Sequence, residues 1–204
     1  MLCLQQKVIG RPISYPEGIT IMNQNLQDQQ RLHLHYSPSI ERSLGLVLQH
    51  YHKPSLTKLP PTQSLQIGIQ WNELLYRHNT KNSQTNLYLK SLSLLNQWGA
   101  SLGIAGDSET RRLFASYEWF QDYNRRGKGI EMHHTARIGI APYITEFNSI
   151  HLWVMLQARQ YVYSSSQTQS IDWTPFFRVF QGPLLLELGS NLQNTFLFNI
   201  ILRL

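Results

Sequence analysis

Apolar residues recur at every second position, in short runs, from one end of this chain to the other, and no segment carries a helical repeat of comparable quality. The last ten residues show the pattern most plainly. Phe196, Phe198, Ile200, Leu202 and Leu204 share one face, while Thr195, Asn199 and Arg203 alternate with Leu197 and Ile201 on the other. The same two-residue period marks Ile19–Met22, Arg31–Tyr36, Ser43–Tyr51, Leu65–Trp71, Asn86–Leu92, Trp98–Ile104, Leu113–Trp119, Ile130–Ile140, Ile150–Val162, Trp173–Val179 and Leu184–Gly189. With the closing run these make about twelve strands, within roughly ten to fourteen, and an even number is the rule for bacterial membrane barrels. The expected fold is all-β: one antiparallel up-and-down transmembrane barrel over residues 11–204, after an N-terminal extension of residues 1–10.

Alternation alone does not say whether the apolar stripe faces a protein core or a hydrocarbon solvent. Two features point outward. The opposite face is not a Lys/Glu-rich solvated surface: it carries Gly45, Gly68, Gly99, Gly103, Gly139 and Gly189 beside bulky Phe114, Tyr161 and Phe176, the small-and-large mixture of a crowded lumen. Second, counting strands from Ile19 puts the long linkers Lys53–Thr62 and Ser164–Ile171 at one rim. The tight turns Ser37–Ile40 and Gln181-Gly182 fall at the other rim, with Leu204. Trp98, Trp119 and Trp173 then fall near the long-loop rim, as an interfacial aromatic girdle would.

Composition agrees. A mean hydropathy of −0.30 and the lack of an apolar run near the ~20 residues of a spanning helix exclude a helical membrane protein but not a barrel. The net charge of +6 is spread along the chain, with one short cluster at Arg125-Arg126-Gly127-Lys128. Outer-membrane lipid and lipopolysaccharide are therefore the expected partners, and nucleic acid is not. The single cysteine, Cys3, rules out an intramolecular disulfide. Met1–Ile9 carries no apolar core of a secretory signal, so export would require a leader upstream of Met1.

Several stretches resemble a proteobacterial family of small outer-membrane β-barrel proteins with no established activity. They are Gly10-Arg11-Pro12-Ile13-Ser14-Tyr15-Pro16, Leu32-His33-Leu34-His35-Tyr36-Ser37-Pro38, Ser83-Gln84-Thr85-Asn86-Leu87-Tyr88-Leu89-Lys90-Ser91 and Ile150-His151-Leu152-Trp153-Val154-Met155-Leu156-Gln157. The resemblance spans most of the chain and implies an integral outer-membrane location. It departs at Glu17, where the pattern after Tyr15-Pro16 calls for Gly.

Candidate functional residues lie on the polar face. Arg112, Glu118, Glu131, Arg137, Arg159, Arg178, Glu187 and Arg203 are expected to line the lumen, cross-linking it or edging a narrow polar pore. His33 and His35 share one face, and His133, His151 and Met155 lie on polar faces of late strands. Imidazoles with a thioether suit copper or zinc, yet no spacing matches a defined metal motif. Hydrogen bonding of these histidines to Glu131, Glu187 or water is the favoured reading, and no cofactor is expected. The chain has no Gly-x-Ser-x-Gly elbow, and Ser14, Ser37, Ser39 and Ser116 have no distinguishing context. The function expected is an integral outer-membrane barrel, structural or a narrow polar channel. An outer-membrane lipid-acting hydrolase and a soluble periplasmic barrel around an apolar ligand are the alternatives.

Overall fold

The computed structural model describes residues 11–25, 29–51, 65–96, 99–124, 131–146, 149–163, 171–191 and 195–204. Twelve strands, β1 (Gly18–Asn25), β2 (Gln29–Ser37), β3 (Arg42–Tyr51), β4 (Gln66–Asn79), β5 (Ser83–Leu94), β6 (Gly99–Thr110), β7 (Leu113–Asn124), β8 (Glu131–Ile140), β9 (His151–Tyr163), β10 (Asp172–Gln181), β11 (Leu184–Ser190) and β12 (Phe196–Arg203), pair antiparallel with their chain neighbours. The sheet closes when β1 pairs β12, with Ile21 opposite Leu202. Reciprocal bonds between Ile19 and Leu204, N to O at 2.9 and 2.8 Å, finish the seam. Closure leaves no sheet edge unpaired, which is the condition for a β-structure to exist in hydrocarbon.

Every alternating run of the sequence becomes a wall strand, and its apolar stripe faces outward. Leu184, Leu202, Ile21, Leu34, Leu46 and Ile69 form one continuous cross-strand row over six strands. All but Leu202 are large exposed hydrophobics. Residues between them, such as Thr20, His35, Asn72, Thr174, Glu187 and Asn199, are buried in the interior. The inward apolar cavity that a soluble ligand-binding barrel would need is thus absent from the alternating stripe.

Three strands outrun their sequence signal by five residues or more at one end. β4 continues to Asn79 through a bulge between Leu74 and Tyr76 that shifts the inward face from even to odd positions. β6 continues to Thr110 and β7 to Asn124. The extension of β7 corrects the aromatic-girdle expectation: Trp119 pairs with Ile104 and His134 in mid-strand, whereas Trp173 does sit at a strand end. Trp98 lies outside the described residues.

We call the rim where β1 begins and β12 ends the lower rim. Its connections 38–41, 80–82, 111–112 and 182–183 hold four residues or fewer, and 141–150 is the long exception. The strands flanking Lys53–Thr62 and Ser164–Ile171 meet at the upper rim, as expected, although those linkers themselves fall outside the described residues apart from Ile171.

Ahead of β1 the chain turns inward at Glu17, the one described non-glycine residue with positive φ, at 64°. Its N–H donates to Ser37 O at 2.7 Å, and Gly18 N–H closes back on Tyr15 O at 3.0 Å. A left-handed conformation explains why glycine would suit this position, and it costs a side-chain-bearing residue about 1–2 kcal/mol. Glu17→Gly is therefore expected to raise the unfolding free energy by roughly 0.5–1 kcal/mol after glycine's own entropic cost, read by urea titration of the refolded barrel. Glu17→Val is expected to lower it.

Candidate functional site in the lumen

The interior is packed in three zones. Against β7–β12, from the lower rim up to the start of β12, Phe114, Trp153, Met155, Phe176, Phe180, Leu185, Leu197 and Ile201 join Met22 and Ala141 in an apolar cluster. Alternation alone would make this wall polar. The cluster arises because bulky side chains meet glycines opposite them: Gly139 leaves room for Met155, and a Cβ there would collide with its sulfur.

Directly beside this cluster sits a buried ionic network. Arg178, Glu187 and Asn199 are cross-strand neighbours on β10, β11 and β12. Arg178 Nε donates to Glu187 Oε1 at 2.7 Å, Asn199 Nδ2 donates to Oε2 at 2.6 Å, and Arg137 Nη1 lies 3.6 Å from the same Oε2. Arg137 Nε also donates to Gln157 Oε1 at 2.8 Å. The guanidinium of Arg178 lies 4.7 Å from the Phe114 ring centroid and that of Arg137 5.6 Å from Phe176. Glu187 is only 2 % exposed, so two guanidiniums and an amide replace the water its carboxylate has lost.

The second zone lies between β2 and β8. The rings of His33 and His35 stack 5.3 Å apart, with Nδ1 and Nε2 3.2 Å from each other. His35 occupies the space over Gly45, where any side chain would strike its ring. Gln70 Nε2 donates to Asn72 Oδ1 at 2.7 Å, and Asn72 Nδ2 donates to Ser43 Oγ at 2.9 Å. Farther round, Lys90 Nζ reaches Glu118 Oε2 at 2.7 Å, and His133 stacks on Phe120 with its Nδ1 3.6 Å from Asp122.

The third zone is made by residues 11–14, which run inside the barrel mouth at the lower rim. Arg11, 4 % exposed, bonds to Gln84 and lies 3.2 Å from Asp107 Oδ1 and 3.4 Å from Glu109 Oε2. Arg203 Nη2 donates to Arg11 O at 3.0 Å, Ser43 Oγ donates to Pro12 O at 2.8 Å, and Ser14 N–H donates to Ser37 Oγ at 3.0 Å. Ile13 packs with Tyr88, Ala105 and Leu74.

Of the residues expected to line the lumen, Arg137, Arg178 and Glu187 meet in one network, Glu118 pairs with Lys90, and Arg203 holds the inserted segment. Arg159 is buried, opposite Asp172 in the ladder. Arg112 is corrected: it is exposed in the two-residue turn between β6 and β7, and its carbonyl accepts from Ala141 N–H at 2.8 Å. The alternation that seemed to include it begins one residue later. Glu131 pairs with Asp122 and Tyr163 in the ladder, and its side chain is outside the described set.

The candidate metal ligands do not converge. Of this set His33 and His35 meet each other, His151 stacks on Phe180 at 4.6 Å, and Met155 lies in the apolar cluster. His133 is opposite Tyr161, six residues along β9 from Met155, or about 20 Å. Among the described residues no three His, Cys, Asp or Glu side chains gather as a metal site. Arg11, Lys90, Asp107 and Glu109 escaped the sequence reading. Asp107 and Glu109 continue the β6 alternation past Ile104 and were legible there; Arg11 sits in a segment with no period to read.

A closed twelve-strand antiparallel barrel with an apolar exterior is a porin-like fold. The chain is similar to the solved KdgM porin, at 10% identity and a TM-score of 0.52 over 91% of this chain and 97% of that one. It is also similar to a KdgM porin in complex with disordered oligogalacturonate, at 12% identity and 0.52 over 91% and 98%. At these identities the likeness is one of fold. No protein-family model and no curated protein matches the chain.

Proposed function

We propose that this protein is an integral outer-membrane barrel whose lumen forms a narrow channel for small polar solutes or ions. The observation that carries the reading is the partition of side chains: a stripe dominated by Leu and Ile faces outward around a closed wall, while the ion pairs and amides, with one apolar cluster, face inward. The lower rim, with its short turns, is then periplasmic, and outer-membrane lipid is the solvent of the outer face. Four of the lumen cations are engaged by carboxylates: Arg137 and Arg178 by Glu187, Arg11 by Asp107 and Glu109, Lys90 by Glu118. That balance favours small solutes over the acidic oligosaccharide carried in the name of one structural neighbour. A hydrolase reading finds less support. Ser43, which shares a network with His35 through Asn72, commits its hydroxyl to the Pro12 carbonyl.

The test is refolding in detergent followed by reconstitution. The folded protein is expected to shift on SDS gels after boiling and to give discrete current steps in planar bilayers. Insertion without any current, in the native chain and in the unlatched variant described below, would leave a structural barrel and contradict the channel.

A further inference from the structure

We infer that residues 11–14 are a removable plug, latched by Arg11 and hinged at Glu17, that closes the channel at its lower mouth. The inference rests on the channel reading. Arg11 is held from β5 and β6 by Gln84, Asp107 and Glu109, and from β12 by the Arg203 bond to its carbonyl. β6 and β12 lie six strands apart in a ring of twelve, so a single residue touches opposite walls. The β7–β12 side of the same mouth is filled by Phe114, Trp153, Phe180, Leu185 and Ile201. Together the segment and the cluster span the lumen.

The attachment has the character of a latch, not of a wall element. Among the described residues, 11–14 make no backbone ladder with any strand. Their polar bonds to the wall run through side chains: Ser37 and Ser43 Oγ, the Arg203 guanidinium, and Arg11 itself. The β1–β12 seam closes without them, so withdrawal costs the barrel none of its own hydrogen bonds. The left-handed residue Glu17 is where the chain leaves the lumen for the wall, and its neighbours Tyr15 and Pro16 are exposed.

Electrostatics sets the bias. Seated, the Arg11 guanidinium compensates the Asp107 and Glu109 carboxylates, which are 10 % and 7 % exposed. With Arg11 truncated, those carboxylates keep their burial but lose the Arg11 guanidinium, a state that withdrawal of the plug and entry of water would relieve.

The experiment uses single-channel recording of the full chain in a Cys3→Ser background, with gel heat-modifiability as the check of folding. Arg11→Ala is expected to raise the open probability about a hundredfold or more, the shift that follows when a buried charge pair loses one partner, with Arg11→Lys between it and the native chain. A second variant, Ser14→Cys with Ser37→Cys, ties the segment to the end of β2. Oxidised, it should hold the channel shut; reduced, it should return to native behaviour. Equal currents in the oxidised and reduced forms would overturn the plug while leaving the channel standing. Folded, inserted Arg11→Ala protein with no current would overturn both.

Discussion

Replacing Glu187 by Leu is expected to destabilise the barrel by about 3–5 kcal/mol, the cost of leaving buried charges without their partner. The residue loses nothing in volume or apolar packing by the change, so a core-packing account predicts little effect. The charge account predicts a large one, because Arg178 at 2.7 Å and Arg137 at 3.6 Å would then face each other across an aliphatic side chain, and Asn199 would lose its acceptor. Cation–π contacts to Phe114 and Phe176 do not compensate, since both rings are already engaged. Glu187→Gln keeps an acceptor for Arg178 and should lose less. Removing the charges together, as Arg137→Met, Arg178→Met and Glu187→Leu, should recover most of the loss, because an ion network of this kind repays its desolvation without adding much beyond it. Urea unfolding of the three variants in detergent micelles measures this. A Glu187→Leu barrel within about 1 kcal/mol of native would show that water reaches the network and screens it.

The wall of this molecule is written openly in its sequence; the content of the lumen is not. A strand states its own period, so Leu44, Leu46 and Leu48 announce one face and Gly45 and Val47 the other without reference to any partner. The expected outward direction of the stripe also held, because the glycine-and-aromatic mixture opposite it belongs to a crowded interior. Contacts across the lumen have no such local signature. Arg178, Glu187 and Asn199 are adjacent only because the register of three strands aligns them, and register is a property of pairs. The bulge at Leu74 and Tyr76 inverts a face in the middle of a strand, which period counting reads as the strand's end. Arg11 is the extreme case: its partners Gln84, Asp107 and Glu109 are more than seventy residues away, and its own segment repeats nothing. The histidines share a residue type but not a place. His33, His133 and His151 lie in separate parts of the interior, each against its own neighbours.

Leu46→Arg tests the central claim that the outer face is solvated by hydrocarbon. Leu46 lies in the middle of β3, half exposed, flanked across the sheet by Leu34 and Ile69. Its side chain makes no interior contact that an arginine would disturb, so the substitution reports the solvent and little else. Measured as the free energy of folding into phospholipid vesicles, it should cost about 2–4 kcal/mol, the depth-dependent penalty for a guanidinium near the bilayer midplane. A parallel change near a rim, Ile19→Arg, should cost about 0–1 kcal/mol on the same grounds. A Leu46→Arg protein as stable as the native chain, folded and monodisperse in plain buffer, would mean that water and not lipid meets those leucines, and the membrane-barrel account would fail.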